Sequence, residues 1–140
     1  DGDGSAAGID GLKTSGGGKV SGGKKKKARV SGSARVGDIA PVDGTVDKRG
    51  VARSIKRRQA AIQACYEAAL KTNSKLKGKL TVEFTINQRG RVSEAVVIRD
   101  GLGSNQVSRC VINVIKRIRF PRPDDGSVTI ANSFVFQPNN

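Results

Sequence analysis

The chain has 140 residues and a formal net charge of +14 from 26 Lys+Arg against 12 Asp+Glu, with two Cys and no His or Met. That length suits one small domain with a tail and excludes two full domains. Without His the usual general base and imidazole ligand are missing, and two cysteines cannot by themselves complete a four-ligand zinc site.

No apolar run approaches the roughly 20 residues of a membrane-spanning helix. The missing Met reads as a piece excised or processed from a longer protein, with any anchor or export signal lying elsewhere. Residues 1–50 carry 10 basic and 6 acidic groups and residues 51–140 carry 16 and 6, so the excess is +4 and then +10. A basic balance favours anionic partners, although a solvated surface accounts for it equally well.

Residues 1–37 are low-complexity Gly, Ser and Lys without an aromatic. They cannot bury enough apolar area to offset their ordering entropy, which predicts a disordered tether. Residues 38–50, with isolated Ile39, Val42 and Val46, are expected to dock loosely or stay mobile. The division is therefore a flexible linker over 1–50 and a domain over 51–140. The run Lys24–Lys27 reads as a solubilising feature of the linker or as a grip on an anionic polymer.

From Val51 a helical stripe begins: Val51, Ile55, Ile62, Cys65, Tyr66, Ala69 and Leu70 predict one helix of about twenty residues. Leu80, Val82, Phe84 and Ile86 then alternate with polar residues, Asn-Gln-Arg-Gly supplies a tight turn, and residues 91–99 return as a second strand. Ser104 is placed to cap a second helix carrying Val107, Cys110, Val111, Val114, Ile115 and Ile118, and Pro121 and Pro123 stop it. The last strand, Ser127–Phe136, puts Val128, Ile130, Phe134 and Phe136 on one face, interrupted by Asn132. The expected fold is α+β, ordered α-β-β-α-β, with a three-stranded antiparallel sheet and two helices on one face.

That arrangement would bring Cys65 and Cys110 together. They are either reduced, buried and hydrophobe-like, or joined by a disulfide closing a loop of about 45 residues. The acids of the domain, Glu67, Glu83, Glu94, Asp100, Asp124 and Asp125, form no spaced pair on a rigid element. Gly-Leu-Gly-Ser before the second helix lacks the P-loop residues. No catalytic, cofactor-binding or metal-binding residue is expected.

The succession IQACYEAALKTN, LKGKLTVEFTINQRGRVSEAVV, VSRCVINVIKRIRFPRPDDGSVTI and FVFQP resembles the TonB-like C-terminal domain of the AgmX/PglI type over roughly residues 52–138. Its most specific elements are Cys65-Tyr66-Glu67, the turn Gly90–Val92, Cys110, and Phe120–Pro123. Ser74 and the pair Asn132-Ser133 depart from the usual pattern. The resemblance favours the Cys65–Cys110 disulfide and an oxidising compartment. It implies a non-enzymatic periplasmic module of cell-envelope, gliding-motility or transport machinery. In such a protein an inner-membrane motor is engaged through a preceding part, and the terminal domain grips an outer-membrane or periplasmic protein.

The last strand enters after a crossover helix and is expected at the sheet edge. A partner segment would add alongside Ser127, Val128, Thr129, Ile130, Ala131, Asn132, Ser133, Phe134, Val135 and Phe136, a stretch without a charged residue to blunt it. Alternatively, the tail covers that edge. A module binding nucleic acid or another polyanion is the competing reading, weakened by the burial expected of most aromatics.

Overall fold

A computed structural model describes residues 31–139. The predicted disorder of residues 1–30 and the run Lys24–Lys27 lie outside the described residues. Four strands and three helices follow in the order β1 (Gly32–Asp43), α1 (Lys48–Lys56), α2 (Gln59–Leu70), β2 (Gly78–Ile86), β3 (Val92–Asp100), α3 (Asn105–Lys116) and β4 (Val128–Pro138). All pairings are antiparallel and the sheet order is β1-β4-β2-β3. The apolar faces of the helices and one face of the sheet merge into a single core. The α+β class and the antiparallel sheet are as expected, but the sheet has four strands rather than three and the helices number three rather than two among the described residues.

The extra strand is β1. It lies upstream of the predicted boundary at residue 51, and its first residues fall in the stretch expected to be disordered. The reason it is hidden in the sequence is steric. Gly32 and Ala34 are its buried positions, and a Cβ on Gly32 would run into the Tyr66 ring and come within 2.9 Å of Leu70 Cδ1. The strand crosses α2 so closely that only the smallest residues fit, so it carries no alternating apolar signal.

The predicted long helix is broken at Arg57-Arg58. A continuous stripe through Val51 and Ile55 would next bury positions 58 and 59, three and four residues on. Those positions hold Arg and Gln. The helix ends at Lys56, Arg58 leaves helical geometry at φ −108°, ψ 10°, and α2 restarts with its own buried face of Ile62, Cys65, Tyr66, Ala69 and Leu70. The break turns Arg58 to solvent and lets Gln59 donate to the Ala34 carbonyl of β1.

The β2–β3 hairpin forms where the turn residues place it. Asn87 Oδ1 accepts from the Arg89 and Arg91 amides at 2.9 and 3.1 Å. Gly90 sits at φ +81°, where a side chain would also strike the Phe120 carbonyl. Ser104 Oγ accepts from the Val107 amide and caps α3 as predicted.

Cys65 on α2 and Cys110 on α3 stand at disulfide distance, with Cα atoms 5.6 Å apart and sulfurs 2.08 Å apart. The crosslink spans 45 residues, including the whole β2–β3 hairpin. Closing a loop of that length stabilises a chain by about 4 kcal/mol on the entropy model. The double variant Cys65→Ala, Cys110→Ala should therefore lose about 2–4 kcal/mol in urea unfolding at neutral pH. An unchanged midpoint and slope would mean that the thiols are not bonded.

Candidate partner-binding strand

Alternation along β4 sends Val128, Ile130, Asn132, Phe134 and Phe136 into the core and leaves Thr129, Ala131 and Val135 half-buried on the open face of the sheet. Ser133 shares that open-face parity but is itself buried. Phe136 packs on Tyr66 with ring centroids 5.0 Å apart. Burial raises the titration of the Tyr66 hydroxyl above its ordinary range, and the hydroxyl donates to the Leu76 carbonyl. On the open face Thr81 meets Ser133 and Thr85 meets Thr129 through hydroxyl–hydroxyl bonds of 3.0 and 2.9 Å. Such cross-strand pairs add to the ladder between β2 and β4.

The structure moves this strand from the edge to the interior of the sheet. Its two neighbours are unequal. Against β2 the register runs without interruption from Gly78↔Phe136 to Ile86↔Val128. Against β1 it shifts twice, between Val36 and Ile39 and between Pro41 and Asp43. The edge that was expected to be open from Ser127 to Phe136 is thus filled by the chain's own β1, the alternative in which the tail covers it. Val128–Phe136 therefore belongs to a strand paired on both sides. Ser127 lies just outside β4.

What holds β1 in place is mostly backbone. Ala34 is its one fully buried side chain bearing a Cβ, whereas β2 buries Leu80, Val82, Phe84 and Ile86. Val36 and Ile39 pack half-buried against the core, so at roughly 25 cal/mol per Å² of apolar area β1 has less hydrophobic anchoring on the core face than β2. Three side chains fasten it instead. Glu67 accepts from the Gly32 amide at 3.2 Å, Gln59 donates to the Ala34 carbonyl at 2.6 Å, and Asn132 Nδ2 donates to the Asp38 carbonyl at 3.0 Å.

Asn132 explains its own departure from the apolar row. It is fully buried, and its amide reaches the Asp38 carbonyl within the first register shift. A second bond goes to the Ser133 carbonyl at 3.2 Å, while Oδ1 has no partner. The sequence shows only an interruption there; the bond to β1 was invisible because β1 itself was.

The remaining edges are protected. The outer strand β3 shifts register twice against β2 and carries exposed Glu94, Arg99 and Asp100. The outer side of β1 carries Pro41 and exposed Arg35, Asp38 and Asp43. Bulges, charges and proline are the usual devices that keep an edge from pairing with another chain. Among the described strands only β4 lacks charge, and it is interior, paired on both sides.

No known protein family, curated protein or solved structure matches this chain. Among the described residues no group of three or more His, Cys, Asp or Glu is placed to hold a metal, and no helix is long and apolar enough to cross a membrane.

Asn132→Leu should loosen β1 selectively. Losing one buried hydrogen bond costs about 1 kcal/mol, equivalent to a roughly fivefold rise in the open population. Trypsin cleavage after Arg35 should accelerate by about that factor while the thermal midpoint of the rest of the domain changes little, since the unpartnered Oδ1 is removed as well. Cleavage at the parent rate would show that the bond to Asp38 does not hold the strand.

Proposed function

We propose that this chain is a non-enzymatic, TonB-like coupling module of the periplasm. Its terminal domain grips an extended segment of an outer-membrane or periplasmic protein, and the residues preceding β1 lead toward an inner-membrane, proton-driven motor. The likeness of residues 52–138 to AgmX/PglI-type domains suggests gliding-motility or transport machinery. The disulfide pair supports an oxidising compartment.

One observation carries the binding mode. β4 already accepts a strand in cis, and that strand is poorly anchored: two register shifts and one fully buried side chain bearing a Cβ, against an uninterrupted ladder on the other side. A partner segment takes the place of β1, making the same backbone bonds, with small residues under Tyr66 and larger apolar ones further along, where Val36 and Ile39 are only partly buried. Strand addition gives affinity through the main chain and specificity through alternate side chains. Because β1 continues directly into the upstream chain, partner capture and release of the tether are the same event.

The test locks β1 to β4. Arg35 and Val135 are Cα partners on solvent-accessible positions, so the variant Arg35→Cys, Val135→Cys should form a second disulfide and leave the core intact. In the cell envelope, a photoreactive residue at Ala131 of the full-length parent should crosslink to one extended partner. The lock should reduce that adduct at least tenfold. An undiminished adduct in the locked protein would exclude strand exchange, and free thiols at Cys65 and Cys110 in freshly isolated protein would exclude the compartment.

A further inference from the structure

Arg57 and Arg58, in the break between α1 and α2, lie beside Arg117 and Arg119, which follow α3. Together with Ser54 and Ile118 they line an open surface cavity of about 340 Å³. We infer that this cavity binds a phosphoryl group, clamped by the four guanidinium groups.

The backbone places all four arginines with little freedom. The Arg57 and Arg58 amides donate to the Arg53 and Ile55 carbonyls at 3.1 and 2.9 Å. The Arg117 and Ile118 amides donate to Val114 and Ile115, and Arg119 bridges Arg91 across an antiparallel pair. In Arg117-Ile118-Arg119 the chain is anchored by Ile118 in the core, so the two flanking arginines are exposed on the same rim. Ser54, on the floor, spends its hydroxyl proton on the Gly50 carbonyl at 3.0 Å. The donors available to a ligand are therefore the guanidinium forks.

Charge points the same way. Arginines at helix C-termini are commonly explained by the helix dipole, and Arg57 and Arg117 do cap α1 and α3. Each such terminus supplies only about half a negative charge, so two of them offset about one of the four positive charges. The lining contains no Asp or Glu. The N-terminus of α2, which Arg58 immediately precedes, has no side-chain cap and no acidic residue in its first turn. It adds further positive potential. The cluster is thus left with about three uncompensated positive charges at fixed backbone positions. Planar guanidinium forks match the oxygen spacing of phosphate bidentately and are less well matched to a point anion such as chloride. All four positions are arginine, although lysine is common elsewhere in the chain.

The phosphoryl group can belong to a free phosphate ester or to a lipid headgroup, and the experiment separates these. Inorganic phosphate is titrated into the full 140-residue chain at constant ionic strength, following the arginine Nε–Hε signals by NMR. The signals of Arg57, Arg58, Arg117 and Arg119 should shift saturably and together. Replacing all four by Gln should weaken the binding at least tenfold, with an unchanged thermal midpoint because the side chains are exposed. Replacing Arg58 and Arg119 by Lys should weaken it several-fold despite the conserved charge. A control with Lys24–Lys27 replaced by Gln should bind as the parent does. Vesicles of phosphatidylglycerol, compared with phosphatidylcholine, form the second arm. Recruitment that depends on the four arginines assigns the site to a headgroup, and binding of phosphate without recruitment assigns it to a soluble ester. Shifts that chloride reproduces, or phosphate affinity that survives the four-Gln replacement, would overturn the site.

Discussion

The pairing of β4 with β2 is the constraint from which the remainder of the fold follows. Its uninterrupted register sets Leu80, Val82, Phe84 and Ile86 beside Phe134, Ile130 and Val128 on one face. That apolar surface must be covered, and the helices cover it, pinned to one another through Cys65 and Cys110. The opposite face of the same pair is finished with Thr and Ser hydroxyls that bond across the strands, so it can meet water without cost. Once β4 is seated this way, its second row of backbone groups faces outward with no charge to defend it. β1 fills that row.

β1 meets a backbone need with minimal side-chain commitment. Large residues do not fit where it crosses α2. Gly32 fits under Tyr66, and the small side chain of Ala34 contributes little burial. The two register shifts remove further ladder bonds. Elements with few buried apolar contacts open first in native proteins. This weakness falls on the strand that connects the domain to the upstream chain.

The same physics decides what could be read from the sequence. Elements whose side chains are selected by burial were legible: the alternation of β2, the stripe of α3, the turn at Asn87–Gly90 and the Ser104 cap all follow from local pattern. The Cys65–Cys110 encounter followed because both residues lie on stripes that must face one sheet. β1 was not legible, since its composition answers to a close crossing with α2 rather than to hydropathy. The break at Arg57-Arg58 was visible in principle as a gap of two polar residues where the stripe should continue. Missing β1 also obscured Asn132, whose purpose is a bond to that strand, and put β4 at an edge it does not occupy. The arginine cavity draws on positions some sixty residues apart, which no local pattern joins.

Native-state hydrogen exchange on the full chain tests most directly whether β1 is a detachable cover. Amides in β1, and those β4 amides bonded to it, should exchange through a local opening several kcal/mol below the global unfolding free energy, with almost no dependence on denaturant. Amides joining β2 to β4 should exchange only with global unfolding. If β1 instead exchanges at the global limit, with the same denaturant dependence as the β2–β4 ladder, it is an integral strand of the sheet and the exchange account is wrong.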